Sequence, residues 1–204
     1  MVSPNITNQQ RSAFYALAFP GWPAPRADDR WLDGMWILGN DYRNKSSLHG
    51  AYPPNYIKRV VAMFPEAERI LHLFSGSLTA AQTVEYHQDK DVVRFDLIDR
   101  VGDGIVQGNA EQLGDYFDRS QFDLILADPP YTGEDADKYG TPMVKRQKVF
   151  RQIPSVLCHG GNLVWLDQML PMYNKEEMWM WGAIGIVRST NHRFRVASFF
   201  ECKR

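Results

Sequence analysis

Short apolar runs recur along the chain, each followed within two residues by a glycine or an acid. Residues 70–74, 92–95, 104–106, 122–127 and 162–166 are such runs. They are too short for core helices and are rich in branched and aromatic side chains, so they read as strands. Between them the periodicity changes. Over residues 55–64, Ile57, Val60, Val61 and Phe64 share one helical face, and Pro65 stops the helix. Residues 78–86 and 141–157 also read as helices, and 171–181 as a helix or loop. Residues 184–188 and 194–200 are two more strands, joined by the short polar stretch 189–193. Five strands alternating with helical or loop segments predict a parallel sheet, and two closely joined strands predict an antiparallel hairpin. The first 50 residues, punctuated by Pro20, Pro23 and Pro25, read as irregular. The predicted organisation is an irregular segment over 1–48 packed on an α/β domain over 49–204.

Composition narrows the setting. The chain has 204 residues, 44% of them hydrophobic and 23% charged, with a net charge of −1. That is enough for one α/β domain with a sizeable core. The chain is no polycation, so any nucleic-acid contact must come from a local basic face. No apolar run approaches the ~18 residues of a membrane span, and the polar N-terminus has no signal-peptide pattern. Cys158 and Cys202 match no metal or redox spacing. A reducing, cytoplasmic compartment and no metal site are the expectations.

The most informative stretch follows the fourth predicted strand: Asp128-Pro129-Pro130-Tyr131. Two prolines end the ladder, because neither carries an N–H. They leave an acid and an aromatic on a stiff turn at the carboxyl edge of the sheet, where open α/β folds place ligands. The tetrapeptide resembles the catalytic motif of amino-methyltransferases, which move a methyl from S-adenosylmethionine to an exocyclic base amine. The chemistry suits these residue types. A carboxylate and a backbone carbonyl accept the two amine hydrogens and aim the nitrogen lone pair at the methyl. The aromatic stacks on a base taken out of its helix. The resemblance thus implies Asp128 and the Pro129 carbonyl as acceptors, Pro130 as part of the rigid turn, and Tyr131 as a stacking platform that needs its ring and not its hydroxyl.

The pieces before this turn fall in a matching order. Phe74-Ser75-Gly76-Ser77 joins the first strand to a helix, where a glycine lets the backbone approach a ligand. Asp96 ends the second strand, with Asp99 as its rival for ribose hydroxyls. Asn109-Ala110 ends the third. The sequence resembles the class I, Rossmann-like methyltransferase layout: a mostly parallel sheet with a C-terminal antiparallel hairpin. The resemblance implies S-adenosylmethionine as cofactor, held by Phe74, Ser75, Gly76, Ser77, Asp96, Asn109, Ala110 and Asp128. Residues 49–57 resemble the segment preceding the glycine turn in such DNA enzymes, which implies Tyr52 and Pro53 at the methionine end. Leu78 stands where a second glycine is usual, Asn109 replaces an acid, and the stretch from 96 to 109 leaves little room for a crossover helix.

For substrate, the basic residues Lys145, Arg146, Arg188, His192 and Arg193 are candidates for phosphate contact. The implied partner is nucleic acid, DNA ahead of RNA, methylated first of all at adenine N6, with cytosine N4 permitted. Candidate recognition elements are the first ~45 residues, the loop 132–139 and the segment 171–181; such limited material leaves room for a partner protein or homodimer. Guanine N2 in ribosomal RNA is the runner-up. A non-catalytic subunit with a degenerate pocket is a rival of a different class, and Leu78 is its main support.

Overall fold

The computed structural model describes residues 6–39, 51–188 and 194–204. Its first departure from the sequence reading lies at the N-terminus. Thr7 Oγ1 accepts from the Gln10 N–H, and the Gln10 side chain accepts from the Thr7 N–H. This capping box opens helix α1 (Asn8–Ala18), so the stretch is not irregular. A hairpin follows, β1 (Arg26–Ala27) and β2 (Leu32–Leu38). Two aromatics of this stretch are buried, Tyr15 of α1 stacking on Trp36 of β2 at 5.5 Å, while Trp22 and Trp31 stay exposed.

The remaining elements keep the predicted alternation. They are α2 (Tyr56–Val61), β3 (Arg69–Leu73), α3 (Ala80–His87), β4 (Asp91–Asp96), β5 (Val106–Gln107), a 3-10 helix (Ala110–Asp115) and β6 (Phe122–Ala127). Next come α4 (Gly133–Tyr139), α5 (Arg146–Val156), β7 (Leu157–Asp167), β8 (Met178–Arg188) and β9 (Phe194–Cys202). The stretch 132–139 is therefore a helix and not a loop. Thr132 caps it, Glu134 and Asp135 sit in its first turn, and Gly140 closes it with φ 65°. Helix α5 starts five residues later than the periodicity suggests, after Pro142. Of the segment 171–181, residues 171–177 form no helix and 178–181 belong to β8, which starts six residues before the predicted run.

Among the described residues nine strands form one sheet in the order β1-β2-β8-β9-β7-β6-β3-β4-β5. Strands β3 to β7 pair in parallel, while β9 lies antiparallel between β7 and β8. Strand β2 adds to β8 in parallel, a contribution the sequence reading did not anticipate. Alternate residues divide between two cores, as the two-residue period of a strand demands. Ile70, Leu124, Leu126, Val164 and Leu166 face α1 and α2; Leu71, Leu73, Ile125, Leu163 and Trp165 face α5 and the 3-10 helix. No helix crosses between β4 and β5. Side chains organise that loop instead: Asp99 accepts from the Val101 and Gly102 N–H groups, and Asp103 accepts from the Ala80 N–H. Among the described residues no helix is long and apolar enough to cross a membrane.

Candidate active site

Parallel pairing brings the ends of β3, β4, β6 and β7 to one edge, and antiparallel pairing puts the start of β9 beside them. A cavity of 330 Å³ opens there, within the usual size of a ligand site. Phe74, Gly76, Asp96, Asn109, Ala110 and the whole Asp128–Tyr131 turn line it. These residues are far apart in sequence, and the sheet edge assembles them.

The turn after β3 is strained. Phe74 has φ 63° and Gly76 φ 55°, so a bulky residue and a glycine both sit in the left-handed region. The Gly76 N–H donates to Asp96 Oδ2 at 2.9 Å, and the Ile98 N–H donates to Oδ1 at 3.2 Å. Both oxygens are thereby aimed, with lone pairs left for a ligand. Asp96 lines the cavity; its rival Asp99 does not, being used in its own turn. Asn109 caps the 3-10 helix by accepting from the Glu111 N–H at 2.9 Å.

Four expected cofactor residues are not on the cavity wall. Ser75 is fully buried and Ser77 also lies off the lining. Tyr52 and Pro53 are displaced by their neighbour Ala51, which does line it. The Tyr52 side chain points into the core, where its hydroxyl donates to the Leu126 carbonyl at 3.2 Å and its ring stacks on Tyr56. Leu78 is buried in the α1/α2 core and its carbonyl accepts from Arg94. It does not obstruct the cavity, which removes the main support for a degenerate pocket.

At the Asp128–Tyr131 turn, the Tyr131 hydroxyl donates to Asp128 Oδ1. Burial, and then the Asp128 carboxylate, hold the Tyr131 phenol well above its ordinary pKa, so it stays a donor. The Tyr56 phenol is raised for the same two reasons. The Arg195 guanidinium lies 4.5 Å from the Tyr131 ring centroid and also lines the cavity. The hydroxyl is therefore engaged, a correction to the reading of Tyr131 as a bare stacking surface.

The basic candidates separate. Lys145 lines the cavity. Arg146 is not a free phosphate contact. Its Nε donates to Asp167 at 2.6 Å and its Nη2 to the carbonyls of Pro130 and Tyr131 at 3.3 and 2.8 Å. Asp167 is 1% exposed and also accepts from the Trp165 indole. Arg146 thus clamps the turn to the end of β7, a role visible only when both are placed. His192 and Arg193, and the side chain of Arg188, lie outside the described residues. Among the described residues, no group of three or more His, Cys, Asp or Glu could hold a metal ion.

Solved structures share this architecture. A 1,6-didemethyltoxoflavin-N1-methyltransferase from Burkholderia thailandensis, solved with S-adenosylhomocysteine, matches with a TM-score of 0.50 at 12% identity, over 72% of this chain and 77% of that one. The fold is that of the class I methyltransferases. TrmN from Thermus thermophilus matches at 0.49 and 18% identity over 66% of this chain, which spans 44% of TrmN. A SAM-dependent methyltransferase from Aquifex aeolicus matches at 0.45 and 9% identity, over 74% and 94% of the two chains. No protein-family profile and no curated protein matches the sequence.

Proposed function

We propose that the protein is an S-adenosylmethionine-dependent methyltransferase acting on an exocyclic base amine, first of all adenine N6 in DNA. The observation that carries this reading is the placement of Asp128 and Tyr131 on the wall of the same cavity as Gly76, Asp96 and Asn109. The cavity suits the cofactor. Asp96 offers aimed carboxylate oxygens for ribose hydroxyls, the Gly76 turn admits a close backbone approach, and Asn109-Ala110 lies beside them. When bound, the cofactor supplies an electrophilic methyl, whose S–C bond breaks as an N–C bond forms, leaving a neutral thioether.

The chain's own residues do the positioning. Asp128 accepts one N–H of the amine and takes the proton that the methylated nitrogen sheds. A carboxylate has about four lone-pair sites, so the amine and the Tyr131 hydroxyl can share it. The Pro129 carbonyl accepts the second N–H; Arg146 binds the carbonyls of Pro130 and Tyr131 and not that of Pro129. Arg195 covers one face of the Tyr131 ring, so the base packs on the other. The buried Arg146–Asp167 pair holds the turn still, as an orientation mechanism requires.

The test is incubation with methyl-labelled cofactor and separate DNA, RNA and protein pools, followed by nucleoside analysis. Labelled N6-methyladenine from DNA is expected. Label in guanine N2 of RNA would move the substrate to the runner-up. Label in protein, or in none of the pools, would refute the proposal.

A further inference from the structure

Arg195 stands out among the charged residues of the site. It is 7% exposed and lies on β9 opposite Ile186, with Ala197 on the same face. Among the described residues no carboxylate comes within ion-pairing distance of it, and its buried Nε has no hydrogen-bond partner. Its neighbours are the face of Tyr131 at 4.5 Å and the cavity itself. The Tyr56 hydroxyl nearby is also buried and unpartnered among the described residues. Of the other buried arginines, Arg11 pairs with Glu66 and Arg94 with Asp103; Arg59, also without a carboxylate partner among the described residues and with an unpartnered Nε, donates to the Tyr15 hydroxyl at 2.5 Å and packs on aromatic rings off the cavity wall, so Arg195 alone of these four faces the cavity.

A guanidinium taken out of water without an anion is costly, and an aromatic face compensates only part of that cost. There is also a reason against leaving it unneutralised during the reaction. Positive charge develops on the amine as it accepts a methyl, and Asp128 is there to offset it. A bare cation across the Tyr131 ring opposes that effect. An incoming anion would neutralise Arg195 and remove that opposition. Guanidinium groups take phosphate or carboxylate through paired N–H donors. A nucleic-acid strand carries phosphodiesters and no carboxylates.

We infer that Arg195 is the phosphate-binding, specificity-determining residue of the site, receiving a backbone phosphate adjacent to the target nucleotide. This inference rests on the proposed function and adds to it a reason for strands to be preferred over free bases or nucleosides.

The experiment measures single-turnover transfer to short oligonucleotides in which the phosphate on either side of the target base is replaced, one at a time, by a neutral methylphosphonate. Wild-type protein is expected to lose at least about tenfold in efficiency at one of the two positions, the scale of a charge-assisted bond. The folded Arg195→Gln variant, checked by circular dichroism and cofactor binding, is expected to be slow on the natural strand and indifferent to that replacement. Arg195→Lys is expected to keep part of the difference, since it keeps the charge. Equal transfer to all strands by wild type, or an undiminished difference in Arg195→Gln, overturns the inference and leaves the proposed function standing. If the Gln variant does not fold, the wild-type and Lys data decide it. No transfer to any natural strand refutes the proposed function, and this inference with it.

Discussion

Replacing Tyr131 by phenylalanine removes one oxygen atom and, with it, a hydrogen bond to the Asp128 carboxylate. Tyr131 is 8% exposed, so water cannot easily replace the lost donor. A hydrogen bond to a charged group contributes about 1.5–3 kcal/mol. If the hydroxyl orients the carboxylate for the amine, that full amount is at stake in transfer, or roughly 10- to 150-fold. The ring, its packing and its contact with Arg195 survive the change, so cofactor affinity should stay within a few fold. Tyr131→Ala also removes the ring, and deleting a buried aromatic costs about 3–5 kcal/mol of stability. The assay is single-turnover methyl transfer, with calorimetric cofactor binding and urea denaturation in parallel. Transfer by Tyr131→Phe at the wild-type rate would refute the reasoning and return Tyr131 to the purely stacking role that its place in the sequence suggests.

Arg146→Met should destabilise the protein by about 3–5 kcal/mol in urea denaturation, because it strands the buried Asp167 carboxylate. The double change Arg146→Met with Asp167→Leu should recover much of that loss, and unchanged stability in the single variant would mean that Arg146 is a surface contact after all. Stability should also fall in acid through the buried pair His72 and His87, whose Nε2 atoms are 2.8 Å apart. Burial lowers the His87 pKa to about 4, and burial and then His87 lower that of His72. Both are neutral in the folded state and protonate more readily unfolded, so their contribution is present above about pH 6.5 and is lost as pH falls toward 4. For His87 alone this is about 3 kcal/mol. Denaturation midpoints from pH 7 to 4 check it, and a flat profile would refute it.

Much of the fold was legible because strands β3, β4, β6 and β9 carry their own periodicity and stop signals, whereas β8 begins six residues before its predicted run. Strand β6 was bounded to the residue by its apolar run and the two prolines. The N-terminal helix was missed although Thr7 and Gln10 spell its capping box, since the prolines at 20, 23 and 25 drew the whole stretch into one irregular class. Helix α4 was missed for a similar reason: Thr132, Glu134 and Asp135 are start signals, but the seven residues offer little apolar periodicity. The shared place of Gly76, Asp96, Asn109 and Asp128 on one cavity wall could be read because each follows a strand, and the parallel sheet brings such positions to one edge. Tyr52 could not, because the sequence places the segment but not the direction of its side chain, and it is Ala51 that meets the cavity. Arg146 and Arg195 look alike as surface charges in sequence. Only the packing shows that one has a buried carboxylate and the other does not.

In the proposed reaction one edge of the sheet holds a cofactor through Asp96 and an amine through Asp128. Methyl transfer and cofactor affinity, measured together on the Asp128→Ala and Asp96→Ala proteins, test it most directly. Asp128→Ala should abolish transfer and leave cofactor affinity within a few fold. Asp96→Ala should weaken cofactor binding by more than about tenfold, the worth of one or two hydrogen bonds to a charged acceptor. Transfer retained without the Asp128 carboxylate, or cofactor bound equally well without Asp96, would contradict the account.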